Sequence, residues 1–144
     1  MVKVEESVMI DRPVEEVWKF IADLSNVPKW EPGVLEARLT SSGPIGVGST
    51  CEIIRKDMTL PQRCIEYEPN RKLSFVVTSG PAKGTVVGFG VEAVEGKTRF
   101  TSADDVKFDG FYRLLAPFVT GGLRREGVAT VGNVKRVLES EAKS

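Results

Sequence analysis

The stretch SVMIDRPVEEVWKFIADLSNVPKWEPGV, residues 7–34, decides the fold of this chain. It begins near the end of a segment, Val2 to Ile10, in which apolar and polar side chains alternate as in a half-buried strand. The strand stops before Asp11, whose carboxylate can cap a helix. Pro13 suits the first helical turn, because its missing N–H is not needed there. A short helix is therefore predicted directly after the first strand.

The apolar residues of that helix recur at three- and four-residue spacing, which places them on one face. They are Val14, Val17, Trp18 and Ile21. Ser25 and Pro28 break the pattern, and the Pro32-Gly33 pair closes the segment after Trp30.

The chain from Val34 to Val106 alternates short apolar segments with turn residues, at a spacing typical of antiparallel hairpins rather than βαβ units. We predict strands near 34–41, 48–56, 59–67, 72–78, 84–94 and 97–106. After Phe108 the apolar period changes to three and four residues, which predicts a long C-terminal helix. Because Pro117 and the Gly121-Gly122 pair interrupt it, we expect a short helix to about Ala116, a bend and then the main helix. The alternative is a flexible hinge beside a binding site.

The composition narrows the range of functions. The 144 residues carry 20 Lys and Arg against 20 Asp and Glu, no His and two Cys, so one domain over residues 1–144 is expected. The balanced charge argues against nucleic acid as a partner, because phosphate backbones are held by excess Lys and Arg. Without His there is no Ser-His-Asp site and no His-ligated metal, and we expect no metal and no cofactor. No apolar run is long enough to span a bilayer, and the lack of a signal-like stretch predicts a cytoplasmic protein.

Turn arithmetic predicts which side chains face each other across the hairpins. A two-residue loop at Asp57-Met58 would pair Cys51 with Cys64, Ile53 with Gln62, Arg55 with Leu60, and Glu52 with Arg63. A four-residue loop from Glu68 to Arg71 would pair Cys64 with Phe75 and Glu66 with Leu73, and a turn at Glu95-Gly96 would pair Val91 with Phe100 and Glu92 with Arg99. Opposite charges then meet on one face and apolar side chains gather on the other. We expect the two cysteines to be buried thiols, because directly opposed strand positions suit a disulfide poorly.

The predicted inner face is mainly apolar but carries several polar side chains. Its apolar members are Cys51, Ile53, Cys64, Leu73, Phe75, Val77, Val87, Phe89, Val91 and Phe100. Its polar members are Glu6, Arg55, Gln62, Glu66, Ser102 and Asp104. An ionised group taken out of water must be paired or shift its pKa. Either these charges lie at strand ends and reach water, or Arg55 with Gln62 and Glu66 forms the polar end of an apolar pocket.

The element order, together with residues 7–34, resembles the helix-grip (SRPBCC) superfamily, which includes START domains, birch-pollen-allergen-like proteins and the polyketide cyclase/dehydrase and lipid transport family. The most specific positions are Ile10, Pro13, Glu16, Val17, Trp18, Asp23, Pro28 and Trp30, with weaker support from residues 67–73 and 135–139. The resemblance implies an α+β fold: a curved seven-stranded antiparallel sheet wrapped around a long C-terminal helix, with two short helices between strands 1 and 2. It also implies a cavity for an apolar or amphipathic small molecule. Trp18 and Trp30 are then expected to seat the short helices on the sheet, and the alternative for Trp30 is a ligand contact.

These observations favour a binder or carrier of a hydrophobic or amphipathic small molecule, such as a lipid, an isoprenoid quinone or a polyketide-like ring. The predicted ligand contacts are Arg55, Gln62, Cys64, Glu66, Phe75, Val77, Phe89, Phe100, Phe111, Leu115 and Phe118. One alternative is a polyketide cyclase/dehydratase-like enzyme, with Glu66 or Asp104 as general base and Arg55 or Tyr112 stabilising an enolate. The lack of His weighs against catalysis. A protein-interaction module is a further alternative, and transient membrane contact or a homodimer is left open.

Overall fold

Seven antiparallel strands form one sheet that faces a long C-terminal helix, in the strand order β1-β7-β6-β5-β4-β3-β2. The computed structural model describes residues 2–107 and 112–141, and the side chains of residues 2–107 and 121–140. The strands are β1 Val2–Ile10, β2 Val34–Leu39, β3 Thr50–Arg55, β4 Thr59–Glu68, β5 Lys72–Val77, β6 Val86–Val94 and β7 Lys97–Val106. The helices are α1 Val14–Ala22, α2 Val27–Trp30 and α3 Tyr112–Glu141, with a 3₁₀ turn at Leu24–Asn26. The predicted helix-grip fold is confirmed.

The two short helices between β1 and β2 seat the aromatic core. Helix α1 buries Val17, Trp18, Phe20 and Ile21. All of these except Phe20 belong to the apolar face that the spacing predicted. Trp30, at the end of α2, is only 2% exposed, and its ring meets those of Phe89 and Phe100 edge to face, at centroid distances of 5.1 and 6.3 Å. Asp11 does not cap α1 as expected. Pro13 occupies the N-cap without a side-chain hydrogen bond, and the Asp11 N–H donates to Glu139 Oε2 at 3.0 Å.

The register of the β3–β4 hairpin differs from the predicted one by two residues. Cys51 pairs with Gln62 and Ile53 with Leu60, because the hairpin closes with the Arg55 N–H donating to Met58 O at 2.8 Å. The two-residue loop is therefore Lys56-Asp57 rather than Asp57-Met58. A shift of two leaves every side chain on its predicted face, so alternation alone could not distinguish the two loops. The expected pairs Cys51–Cys64, Ile53–Gln62, Arg55–Leu60 and Glu52–Arg63 are wrong, and Glu52 instead meets Arg38 at 3.3 Å.

The β4–β5 hairpin confirms the Cys64–Phe75 pair, but a bulge follows it and moves Glu66. Between Cys64 and Glu66 the register shifts, so Glu66 lies opposite Ser74 rather than Leu73. Glu66 consequently leaves the inner face: it accepts a hydrogen bond from Ser74 Oγ at 3.0 Å and lies 3.2 Å from Lys72 Nζ. An extra residue in one strand reverses the faces that follow it, which strict alternation does not foresee.

The remaining hairpin has the predicted register. Val91 pairs with Phe100, and Glu92 pairs with Arg99 at 3.1 Å on the outer face. Strand β1 then pairs with β7, which places Asp104 beside Val4.

Helix α3 is continuous from Tyr112 to Glu141, so the expected bend near Ala116 is wrong. Pro117 lies in the second turn of α3, where its missing N–H removes a hydrogen bond to the first turn only. The far end of α3 is fixed to the end of β1: Lys135 Nζ donates to Met9 O and to Glu139 Oε2, both at 2.7 Å. The Lys135 hydrogen bond holds the pKa of Glu139 below its ordinary value.

Candidate functional site

A cavity of about 160 Å³ lies between the sheet and α3. A smaller space of about 20 Å³ adjoins it, and the two share Glu31, Ile53, Gln62 and Val87 as lining residues. An engineered protein cavity of about 150 Å³ accepts benzene, so the larger space has room for one aromatic ring.

The small space beside the cavity is mainly apolar and aromatic. The small space is lined by Trp30, Phe75, Phe89 and other core residues. Trp30 Nε1 is buried and has no hydrogen-bond acceptor among the described residues. A buried donor without a partner carries a desolvation cost, and a ligand acceptor could relieve it.

One end of the larger cavity is polar, and the turn after Trp30 builds it. Gly33 has φ +78°, and a Cβ there would lie 2.8 Å from Arg55 Nη1, so glycine lets the guanidinium lie across the turn. Arg55 Nη1 donates to Pro32 O at 3.3 Å and lies 3.8 Å from Glu126 Oε1 on α3. The Arg55 side chain is 23% exposed and that of Glu126 is 50% exposed, which places this pair where the cavity meets solvent.

Glu31 lies between the core and this polar end. The end of α2 fixes its backbone, because its N–H donates to Val27 O at 2.8 Å. The neighbouring Trp30 carbonyl accepts from Asn133 Nδ2 of α3 at 3.1 Å, which ties the turn to the helix. Burial raises the pKa of Glu31 to about 7, even though the positive charge of Arg55 lowers it.

Asp104 reaches the same cavity from β7. Burial raises its pKa to about 6, and the negative charge of Glu126 adds to the shift. Its Oδ1 atom is buried without a hydrogen-bond partner in the part of the chain that the structure describes. Two carboxyl groups with raised pKa therefore share one cavity.

The structure brings together only some of the residues predicted to contact ligand. Arg55, Gln62, Val77 and Asp104 line the larger cavity, and Phe75 and Phe89 line the smaller one. Cys64 and Phe100 are fully buried in the core and line neither space. Glu66, predicted as a ligand contact and as a general base, lies on the outer face because of the bulge. Phe111 lies outside the described residues, as do the side chains of Tyr112, Leu115 and Phe118.

Sequence reasoning missed Glu31, Glu126 and Thr130, which also line the cavity. The sequence did contain a signal for Glu31. It lies between Trp30, predicted to be in the core, and the Pro32-Gly33 turn, so its backbone is held close to both. Glu126 and Thr130 carry no comparable signal, because the facing side of α3 depends on how the helix docks.

The larger depression on the outer face is a weaker ligand site. It measures about 470 Å³ and lies over Gly88 and Gly90, where the lack of side chains leaves a hollow. Charged residues such as Lys3, Glu5 and Arg99 rim it, and it is open to solvent. The cavity between the sheet and α3 is less open to solvent and is the better candidate, because it removes more of a ligand from water.

The two cysteines are buried free thiols. Burial raises the pKa of Cys51 to about 11 and also raises that of Cys64, whose Sγ donates to Glu66 O at 3.2 Å. Thiols with raised pKa are poor nucleophiles at neutral pH, so neither is a candidate for covalent chemistry.

Within the described ranges, no cluster of Cys, Asp and Glu has the arrangement of a metal site. In that same part of the chain, no helix is both long and apolar enough to cross a membrane.

The comparisons with known proteins agree with this architecture. A family profile described as polyketide cyclase/dehydrase and lipid transport matches residues 1–139. The chain therefore belongs to the polyketide cyclase/dehydrase and lipid transport family. No curated protein sequence matches it significantly.

Several solved structures share the fold. DynU16, a protein from the dynemicin biosynthetic locus, is 22% identical, with a TM-score of 0.71 over 96% of this chain. BexL, a di-domain ARO/CYC protein of the BE-7585A pathway, is 19% identical, also with a TM-score of 0.71 over 96% of the chain. This chain spans 48% and 47% of their respective lengths. The protein TTHA0849 from Thermus thermophilus is 15% identical, has a TM-score of 0.79 and is covered over 99% of its length.

Proposed function

We propose that this protein binds a hydrophobic or amphipathic small molecule, of about the size of one aromatic ring or a slender chain, between the sheet and α3. The observation that carries the proposal is the cavity of about 160 Å³, which has aliphatic walls and a polar end and adjoins a small space lined by aromatic side chains. Apolar ligand surface buried there would contribute about 25 cal/mol per Å². The polar end would orient the ligand, as a few polar groups do in apolar pockets.

The cavity also weighs against a pure protein-interaction module, for which a filled interior would be expected. Membership of the family supports a ligand-binding role but does not name the ligand. We extend the proposal to a carrier in the cytoplasm, a compartment that keeps thiols such as those of Cys51 and Cys64 reduced.

A calorimetric titration with benzyl alcohol tests the proposal. Val87 faces the cavity and Val86, its neighbour on β6, faces the outer side, so Val87→Phe should block binding and Val86→Phe should not. Both variants should unfold near the wild-type urea midpoint, which separates blocking from misfolding. Equal binding by the two variants, or no binding by the wild type, would contradict the proposal.

The second candidate function is acid–base catalysis of the cyclase/dehydratase kind. It is favoured by Glu31 and Asp104, whose pKa values of about 7 and about 6 suit proton transfer near neutral pH, and by Arg55, whose positive charge acts on Glu31. In such a step the Glu31 carboxylate would take a proton from the carbon next to a carbonyl, and Arg55 would stabilise the enolate oxygen.

Deuterium exchange into the methyl group of acetophenone tests this second function. The wild type should exchange it faster than buffer, Glu31→Gln should lose the acceleration, and Glu66→Gln, altered on the outer face, should keep it. Exchange at the buffer rate with the wild type would rule the reaction out while leaving binding intact.

A further inference from the structure

We propose that the cavity selects ligands whose polar end is a protonated amine, in preference to ligands that end in a carboxylate or a phosphate. This inference rests on the ligand-binding function proposed above and specifies the head group that the polar end would accept. It follows from the cavity itself and from the charges and free acceptors that line it.

The described lining of the cavity carries three carboxyl groups and one cation. Glu31 follows α2, Asp104 comes from β7 and Glu126 from α3, whereas the cation is Arg55 of β3. At pH 8 the three carboxylates outnumber the guanidinium, so an anionic head group would enter a field of its own sign.

Arg55, the one cation among the described lining residues, is already engaged. Arg55 Nη1 donates to Pro32 O at 3.3 Å, lies 3.8 Å from Glu126 Oε1, and is held across Gly33 by the shape of the turn. An anionic ligand would have to compete for it with Glu126 and a fixed carbonyl.

The carboxylates keep acceptor capacity, although the Asp104 side chain already takes one backbone hydrogen bond from Gly88, which lowers its pKa. Asp104 Oδ1 is buried with no hydrogen-bond partner among the described residues. In the same part of the chain, neither Asp104 nor Glu31 has a basic group within ion-pair distance. A carboxylate is an acceptor only, and an ammonium group brings three donors and the opposite charge. Burial of an ammonium group without anionic partners is costly. The carboxylates are therefore what makes this site suitable for an ammonium group.

The titration behaviour of the site supports the same inference. The pKa values of Glu31 and Asp104 are raised first by burial and further by negative charges: Asp104 and Glu126 act on Glu31, and Glu126 acts on Asp104. Arg55 acts in the opposite direction on Glu31, a backbone hydrogen bond from Gly88 does so on Asp104, and Asp105 adds to the repulsion at Asp104. A bound ammonium would stabilise both charged forms, so its binding should release protons between about pH 6 and 7.

The test uses three ligands that share a single ring: benzylamine, benzyl alcohol and benzoate. Their affinities are measured from the indole N–H signal of Trp30, which lines the adjoining space, in a nitrogen-15 spectrum of the intact protein at pH 8. We expect benzylamine to bind at least tenfold more tightly than benzoate, with benzyl alcohol in between. Glu31→Gln and Asp104→Asn should each reduce that ratio at least threefold, and Glu66→Gln should leave it unchanged.

A second arm uses only the wild type, so it does not depend on how the variants fold. At pH 5.5 the amine and benzoate remain ionised while Glu31 and Asp104 take up protons, and the preference for benzylamine should shrink. Benzoate binding as tightly as benzylamine at pH 8, or a ratio unaffected by pH and by both substitutions, would overturn the inference and leave the proposed function standing. Failure of all three ligands to move the Trp30 signal would instead overturn the proposed function.

Discussion

Arg55 on β3 and Glu126 on α3 face each other at the mouth of the cavity, with 3.8 Å between Arg55 Nη1 and Glu126 Oε1. The contact joins the sheet to the helix where carboxyl groups of the cavity, its apolar walls and solvent come together. At this distance and exposure the pair contributes little to stability. Its importance is that it engages the guanidinium with Glu126, while Glu31 and Asp104 have no ion-pair partner among the described residues.

The first prediction concerns the pH dependence of stability. Because the pKa of Glu31 rises from 4.5 to about 7 on folding, its contribution to stability is complete below about pH 4.5 and is lost as the pH rises towards 7. Asp104 acts in the same direction between 3.8 and about 6. Glu31→Gln should therefore stabilise the protein at pH 8 by about 1 to 3 kcal/mol and by much less at pH 5.

Urea unfolding of the wild type and Glu31→Gln at pH 5, 6, 7 and 8 measures this. Glu15→Gln, an exposed change on α1, is the control and should follow the wild-type curve. If Glu31→Gln and the wild type lose stability in parallel as the pH rises, Glu31 is not a buried acid.

The second prediction concerns the bulge in β4. Glu66→Ala should cost about 1 kcal/mol, because the buried Ser74 hydroxyl loses its carboxylate acceptor. Ligand affinity should stay within twofold of the wild-type value, since Glu66 lies on the outer face. Calorimetric titration with benzyl alcohol provides the affinity and urea unfolding the stability. A large loss of affinity would indicate that Glu66 lies on the inner face, which would contradict the bulge.

The third prediction concerns the two glycines of β6. A Cβ at Gly88 would lie 3.0 Å from the backbone oxygen of Ala103 and 3.3 Å from Ser74 Oγ, whereas one at Gly90 would meet only Arg71 O at 3.6 Å. Gly88→Ala should therefore destabilise the fold by about 1 to 3 kcal/mol, and Gly90→Ala should be nearly neutral. The melting temperatures of the two variants are compared by thermal unfolding. Equal melting temperatures would show that Gly88 is not closely packed against Ala103 and Ser74.

The fourth prediction concerns helix α3 as a gate. Gly121 and Gly122 have open space around them, so alanine at either position should raise helix stability by about 1 kcal/mol. If the helix bends at this pair to admit ligand, the double variant should also slow ligand exchange several-fold. Gly132→Ala, equally open but farther along the helix, is the control that gains stability without slowing exchange. NMR line shapes measure the ligand exchange rate. If that rate is the same in the wild type, the double variant and Gly132→Ala, helix α3 does not act as a gate.

The residues that sequence reasoning placed correctly are those fixed by local chemistry. Residues 7–34 predict a strand and helical structure, because periodicity, a helix-initiating proline and a turn all act within a few residues. The turn at Glu95-Gly96 likewise fixes the Val91–Phe100 register. Face assignment failed only where one extra residue entered a strand, at the bulge before Glu66.

The site was less predictable because its polar members come from separate elements that meet only after packing. Arg55 and Asp104 were recognisable as charges on an apolar face, but their companions Glu31 and Glu126 belong to a turn and to a helix whose rotation is set by docking. Raised pKa values depend on the same packing and have no local signature.

The most direct test of the central claim is a titration of the wild-type protein with benzyl alcohol, followed on the two tryptophan indole N–H signals. Trp30 lines the space that adjoins the cavity, whereas Trp18 packs edge to face on Tyr67, 5.7 Å away, and lines neither space. The Trp18→Phe variant assigns the signals. The Trp30 signal should shift saturably while the Trp18 signal stays in place. A titration in which neither signal moves, or in which both drift together without saturation, would contradict an internal ligand site.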